Sequence, residues 1–312
     1  MSYAKQFNPR DLAPAGTALV GDQSDGAGYV FSDAIVLAVR TALATSRALL
    51  VRGESGVGKS SLASAIAAQL GWRKLERVIS SRSEARELLW DIDHLRRLQD
   101  ARAQNAVLGE LGTYVQPGIL WWAFDRESAE KQYALAGGKG PRYESEEDRK
   151  KNKPAVVLLD EIDKADPDLP NNLLVPLGSL KFLVEPTQET VFAKAGAAPL
   201  LVITSNDERE LPAAFLRRCV ELVLEPPGDD VLLRIGAKRF PKLSEARRKR
   251  VLELMLETKP EKWQGRERPV PAEYLDALRA VSELLTEKAD VDKLLKEIAP
   301  LLIWKTSQNV RS

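Results

Sequence analysis

Apolar residues recur at two different spacings in the first part of the chain. Over residues 31–46 they lie three and four positions apart after a Ser-Asp pair, which predicts an amphipathic helix with its cap. The short apolar run 48–51 follows and predicts a buried strand. Residues 61–71 again have helical spacing and end at a glycine. The pattern therefore predicts a helix, a strand, a Gly-rich loop and a second helix.

Four further apolar segments predict the rest of a sheet. Residues 155–159 and 200–204 are uninterrupted apolar runs, as a parallel sheet covered on both faces requires. Residues 76–80 and 220–224 predict two more strands. Because strands alternate with helices here, we expect an α/β fold.

The segments between these strands differ in their polarity. Residues 83–104 are charged with helical apolar spacing, which predicts one long helix. Residues 137–153 mix glycines with charges and predict an exposed loop. Residues 181–192 predict a β-hairpin that turns near residues 185–188.

Only helices are predicted after the Glu-Pro-Pro-Gly sequence at 225–228, which is a candidate domain boundary. The predicted helices cover about 229–239, 244–258, 272–285 and 290–298. We therefore expect a linker at 1–30, an α/β domain at 31–227 and a small all-α domain at 228–312.

Composition narrows the function classes. The 46 Lys and Arg against 45 Asp and Glu give a net charge of +1, so no general attraction to nucleic acid or anionic membrane is expected. The sequence has one cysteine, Cys219, and one histidine, His94, which excludes an internal disulfide and most zinc sites. We assign His94 no role. With no signal-like N-terminus and no long apolar stretch, we expect a soluble, cytoplasmic protein without membrane insertion.

The sequence GESGVGKS matches the phosphate-binding pattern GxxxxGK[ST] in full; its residues are Gly53, Glu54, Ser55, Gly56, Val57, Gly58, Lys59 and Ser60. Glycines let backbone N–H groups face phosphates, Lys59 can reach the outer phosphates and Ser60 can ligate Mg²⁺. A Gly-rich turn could arise by chance. The strand before the loop and the helix after it favour nucleotide binding.

Two carboxylates follow the strand at 155–159. Asp160 would hold Mg²⁺ and Glu161 would polarise the attacking water, as in a Walker B motif. Acidic residues after a strand often only begin a loop. Their occurrence together with the phosphate loop favours the functional interpretation.

Two further polar sites follow the strand at 200–204. Asn206 stands at its carboxyl end and could orient a water, although Asn is also a common turn residue. Arg217 and Arg218 close a predicted helix, where cations also interact favourably with the helix dipole.

The roles of two other features stay open. Arg266 and Arg268 precede a predicted helix, where positive charge is disfavoured unless an anion compensates; an exposed arginine without a role is the alternative. Trp121 and Trp122 could contact a partner, but adjacent aromatic residues in a helix more often have at least one member in a core.

With GESGVGKS, VVLLDEID, TSN and AFLRRC in this order, the chain resembles an AAA+ ATPase, and specifically the MoxR-like branch. The resemblance implies a five-stranded parallel sheet of order 5-1-4-3-2, a helical lid and a hexameric ring. It also implies that Asn206 is sensor 1, Arg218 the arginine finger and Arg268 sensor 2. The segments at about 81–125 and 179–193 are similar to the helix-2 insert and the pre-sensor-1 hairpin.

The resemblance implies that ATP hydrolysis with Mg²⁺ drives remodelling of a partner protein, often one with a von Willebrand factor A domain. A nucleic-acid-translocating or restriction-type motor is the alternative, although the neutral charge argues against it. A nucleotide switch that seldom turns over is disfavoured by the intact Glu161.

Overall fold

The computed structural model describes residues 7, 26, 28–102, 109–140, 142–194, 196–257, 269–284 and 291–302. Within these residues the strands are β1 (Ala48–Arg52), β2 (Arg73–Val78), β3 (Trp90–Ile92), β4 (Val115–Pro117), β5 (Ala155–Asp160), β6 (Lys181–Val184), β7 (Glu189–Phe192), β8 (Leu200–Ser205) and β9 (Cys219–Val223).

The helices of the described residues are α1 (Asp33–Thr45), α2 (Lys59–Leu70), α3 (Ala85–Leu89), α4 (His94–Arg102), α5 (Ile119–Phe124), α6 (Arg126–Leu135), α7 (Glu146–Arg149), α8 (Asp168–Asn172), α9 (Leu174–Ser179), α10 (Ala213–Leu216), α11 (Asp229–Arg239), α12 (Glu245–Leu256), α13 (Pro271–Leu284) and α14 (Val291–Leu302).

A five-stranded parallel sheet forms the centre of the α/β part. Its strand order is β2-β5-β8-β1-β9. The labels skip numbers because β3, β4, β6 and β7 belong to two small sheets. When the five strands are numbered one to five along the chain and read from the β9 edge, their order is 5-1-4-3-2, as the resemblance implies. All residues of β8 and all but the last residue of β5 are buried, as expected for strands at the centre of a covered parallel sheet. The α/β fold is confirmed.

One long helix over residues 83–104 is a wrong prediction. α3 ends at Leu89, β3 pairs antiparallel with β4, and α4 then begins at His94. The N–H of Gly118 donates to the carbonyl of Leu89 at 2.9 Å. Pairing with a distant segment thus interrupts a local helical pattern. The hairpin of β6 and β7 forms as predicted.

The prediction of an exposed loop over residues 137–153 is also wrong in part. The segment contains α7, and the Glu144 side chain is 1% exposed. Its carboxylate lies 2.9 Å from the guanidinium of Arg73 on β2, itself 4% exposed. Burial lowers the pKa of Arg73. A buried ion pair therefore fixes this segment to the sheet.

Trp121 and Trp122 belong to the core, as the second interpretation of that pair predicts. Every side chain of α5 is buried. The indole N–H of Trp121 donates to Ser128 Oγ at 2.7 Å, and its ring meets Phe182 edge-on at 6.3 Å. The pair is therefore not available as a partner-binding surface.

Cys219 begins β9 and is buried. Burial raises the pKa of its thiol to about 12. The thiol is therefore protonated and unreactive at neutral pH.

The described chain forms two compact units. One comprises Asp33–Arg52 and Ala63–Val223, and the other includes Gly53–Leu62 and the described residues from Leu224 onward. The helices of the second unit match their predicted positions, α11 with the same bounds. Their core contains Leu232, Val251, Leu252, Met255, Tyr274 and Leu278. None of the described helices has the length and hydropathy that a bilayer crossing demands.

Candidate functional site

Glycines shape the loop that follows β1. Gly53, Gly56 and Gly58 have φ of 143°, 83° and 99°, a region that side chains disfavour. A Cβ on Gly53 would lie 2.3 Å from the carbonyl oxygen of Leu224. The loop therefore requires glycine at these positions of the pattern.

The same loop packs on neighbours within the second unit. The carbonyl of Gly56 accepts a hydrogen bond from the N–H of Ala272 at 3.2 Å, and a Cβ there would lie 2.8 Å from Val270 Cγ2. A Cβ on Gly58 would lie 3.5 Å from the ring of Tyr29, whose phenol has its pKa raised by burial. The start of α13 and the segment at Tyr29 thus support the loop.

Lys59 places a buried ammonium inside the loop. Its Nζ donates to the carbonyls of Gly53 at 2.6 Å and Glu54 at 2.8 Å. Ser60 follows in the first turn of α2, so its hydroxyl stands at a helix N-terminus. A buried cation, glycine-shaped backbone and a helix N-terminus together fit a phosphate group, and the Ser60 hydroxyl fits a Mg²⁺ ligand.

Thr204 of the adjacent strand β8 hydrogen-bonds to both acidic residues at the end of β5, to the carboxylate of Asp160 and to the backbone of Glu161. The fully buried Thr204 hydroxyl donates to Asp160 Oδ1 at 2.5 Å and accepts from the Glu161 N–H at 2.8 Å. Glu161 has left-handed backbone angles, with φ 62° and ψ 51°. One hydroxyl therefore orients both acidic residues.

The side chain of Glu161 also meets Asn206, so two residues predicted on separate strands come together. Asn206 Nδ2 lies 3.4 Å from Glu161 Oε1. The Asn206 N–H donates to the buried carboxylate of Asp163 at 2.9 Å, which fixes the turn after β8. A carboxylate beside an amide at this sheet edge can bind and orient a water.

Lys164, Thr204 and Asp163 are missing from the sequence-based prediction. Lys164 Nζ lies 2.7 Å from Glu161 Oε2, and the hydrogen bond to Glu161 raises the pKa of Lys164. The spacing of three residues between Glu161 and Lys164 is a signal that could have indicated this pair.

Arg52, the last residue of β1, is another residue that the prediction omits. Its guanidinium pairs with Glu221 and, at 2.6 Å, with Asp207. These carboxylates raise the pKa of Arg52. The contact ties the residue before the phosphate loop to the residue after Asn206.

Arg217 and Arg218 are exposed. The helix before them is short: it begins at Ala213 and has four residues. Arg218 donates to the carbonyl of Ala214 at 3.0 Å and lines a cavity of about 530 Å³ together with Arg47. Arg266 and Arg268 lie outside the described residues.

A parallel sheet whose first strand leads into this phosphate loop, and whose neighbouring strands end in the Asp160, Glu161 and Asn206 group, defines a P-loop nucleoside triphosphatase. Residues 48–219, more than half of the chain, match the family described as AAA domain, dynein-related subfamily. The chain belongs to this family and is an ATP-hydrolysing enzyme.

Three solved structures of RuvB from Thermotoga maritima are similar to the chain. The Holliday junction branch migration motor is 12% identical with a TM-score of 0.45, over 85% of this chain and 66% of that one. A threonine-to-valine mutant is 13% identical with a TM-score of 0.45, over 85% of this chain and 66% of that one. A lysine-to-arginine mutant is 14% identical with a TM-score of 0.46, over 84% of this chain and 67% of that one. The chain thus spans just under two thirds of the first two. No curated protein sequence matches it.

Proposed function

We propose that this AAA+ ATPase couples hydrolysis of Mg-ATP to remodelling or maturation of a partner protein, as the resemblance to the MoxR-like branch implies. The observation that carries the proposal is the Thr204 hydroxyl, which orients Asp160 and Glu161 beside Asn206. Such an arrangement serves turnover, whereas a passive switch would not need an oriented base.

Each site residue has a role that follows from its chemistry. The N–H groups of the loop from Gly53 to Ser60 and the Lys59 ammonium bind the phosphates. Ser60 and Asp160 would hold Mg²⁺, which neutralises charge on the phosphates. Glu161 accepts the proton of the attacking water, and Asn206 orients that water.

The proposal includes a homo-oligomeric ring, hexameric by resemblance. Exposed Arg218, or its neighbour Arg217, would then meet charge on the γ-phosphate of the adjacent subunit. Arg268, or Arg266, would sense nucleotide in the lid. The partner would be a protein in the cytoplasm, with von Willebrand factor A domain proteins as the class to test first.

Two variants test the enzymatic part of this proposal. We expect Lys59→Ala to weaken ATP binding by about 10- to 100-fold, because it removes a charged partner of the phosphates. Glu161→Gln should keep binding and lower kcat by about 10²- to 10⁴-fold, because it removes only the base. Calorimetric titration with ATP and a phosphate-release assay measure the two effects.

Glu127→Gln is the matched control, because Glu127 is exposed on α6 and its ion-pair partners among the described residues are the surface lysines Lys131 and Lys194. Near wild-type hydrolysis by Glu161→Gln would contradict the assignment of the base. Strong stimulation of the wild-type ATPase by DNA, and none by candidate proteins, would favour the nucleic-acid motor instead.

A further inference from the structure

The two carboxylate oxygens of Glu161 have unequal partners. Lys164 Nζ lies 2.7 Å from Oε2, whereas Asn206 Nδ2 lies 3.4 Å from Oε1. Hydrogen bonds from nitrogen to oxygen are usually about 2.7–3.2 Å long, so the contact with Lys164 is the stronger one. The ammonium therefore decides where this carboxylate points.

The backbone of Glu161 leaves the carboxylate little other freedom. Its N–H donates to Thr204 Oγ1 at 2.8 Å and its carbonyl accepts from the N–H of Lys164 at 3.0 Å. Both ends of a left-handed residue are thus fixed. Only the side-chain rotamer can move the carboxylate, and Lys164 holds that rotamer.

The ion pair is also easy to open. The side chains of Lys164 and Glu161 are 41% and 30% exposed, and pairs with this exposure stabilise a structure weakly. The carboxylates of Glu208 and Asp163 attract the same ammonium, after Glu161 itself, and contribute to its raised pKa. The ammonium therefore still has acidic neighbours when it leaves Glu161.

We propose that Lys164 is a positioning residue that restrains Glu161 and so limits the basal rate of ATP hydrolysis. This inference rests on the proposed role of Glu161 as the base. Glu161 Oε2 accepts a hydrogen bond from Lys164 Nζ at 2.7 Å, so this oxygen has fewer lone pairs free to accept a proton from water. Hydrolysis then proceeds from the fraction of molecules in which the pair is open.

Lys164→Met tests the restraint, because it removes the ammonium and keeps an apolar stem. We expect kcat at saturating ATP to rise about two- to five-fold, the population shift that a weak exposed pair allows. The KM for ATP and the thermal midpoint should not change, and Lys164→Arg, which keeps the pair, should restore the low rate. Lys131→Met is the matched control, since Lys131 forms an exposed pair with Glu127 on α6.

Salt provides a readout that a merely structural role would not affect. Exposed ion pairs are screened, so the ratio of kcat between Lys164→Met and wild type should fall toward one as KCl rises from about 50 to 500 mM. An unchanged or lower kcat in Lys164→Met overturns the restraint. This failure of Lys164→Met leaves the proposed function intact if the wild type hydrolyses ATP and Glu161→Gln does not. An inactive wild type, in contrast, contradicts the proposed function itself.

Discussion

The hydroxyl of Thr204 has two hydrogen-bond partners inside the sheet. It donates to Asp160 and accepts from the Glu161 N–H, and no water can replace it because the residue is fully buried. Unpaired buried polar groups are costly. The placement of both acidic residues therefore depends on a side chain that touches neither nucleotide nor water in the proposed mechanism.

We expect Thr204→Val to lower the free energy of unfolding by about 1–3 kcal/mol, because it leaves the Glu161 N–H without an acceptor. The kcat should fall as well, since Asp160 and Glu161 lose their common partner. Urea unfolding and a steady-state ATPase assay measure these effects. Thr204→Ser keeps the hydroxyl and should retain most of the kcat; a loss in Thr204→Ser equal to that in Thr204→Val would contradict the role assigned to the hydroxyl.

The sequence predicts the candidate site residues but not the residues that orient them. Asp160, Glu161 and Asn206 follow apolar runs, and parallel strands bring such positions to one edge. Thr204 is an ordinary strand residue in sequence. Its role arises only from the pairing of β5 with β8, which a local pattern does not contain.

At the scale of elements, the segment between α6 and β5 is fixed by charge. Glu144 and Arg73 are both buried, and Arg73 also donates to the carbonyls of Lys153 and Trp122. Removing one partner of a buried pair leaves the other charge uncompensated. The stability of this segment therefore depends on Glu144.

We expect Glu144→Gln to lower the free energy of unfolding by about 3 kcal/mol, because the Arg73 guanidinium stays buried and charged. Glu127→Gln makes the same chemical change in an exposed pair and should lower the free energy of unfolding far less. Urea unfolding of both variants measures the difference. Equal effects would show that the burial of Glu144 contributes nothing.

The errors in the predicted elements have the same origin. Local spacing over residues 83–104 is helical, but the ladder between β3 and β4 supplies hydrogen bonds that the pattern cannot indicate. Charge over residues 137–153 indicates exposure, yet Arg73 offers a buried partner about seventy residues earlier. In contrast, the four helices of the second unit depend on local apolar spacing and appear where it predicts them.

At the scale of the whole molecule, the proposed ring makes activity depend on neighbours. An arginine that acts in trans leaves an isolated subunit with an incomplete site, and such a residue is worth roughly 10³ to 10⁵ in rate. Arg218 is exposed. Among the described residues, its side chain donates to the Ala214 carbonyl and forms no ion pair with a carboxylate. It is therefore accessible to another subunit.

We expect Arg218→Ala to bind ATP normally and to hydrolyse it slowly, because the site of the adjacent subunit loses its arginine. Wild-type ATPase activity per subunit should rise with protein concentration as rings form. Adding Lys59→Ala subunits, which still present Arg218, to the Arg218→Ala variant should restore part of its ATPase activity. ATPase assays alongside light scattering measure both effects.

Arg217→Ala is the matched control and decides between the adjacent arginines. Full activity of Arg218→Ala in a dilute, monomeric sample would contradict both the finger and the ring.

The burial of Cys219 makes the natural chain suitable for site-specific labelling. A thiol with a pKa of about 12 is ionised in roughly one molecule in 10⁵ at pH 7, so maleimide dyes will react with it very slowly. Leu37 is 67% exposed on α1, so a cysteine introduced there would react with the dye while Cys219 would not. Energy transfer between copies carrying donor and acceptor dyes could follow their association without removing any native residue from the core.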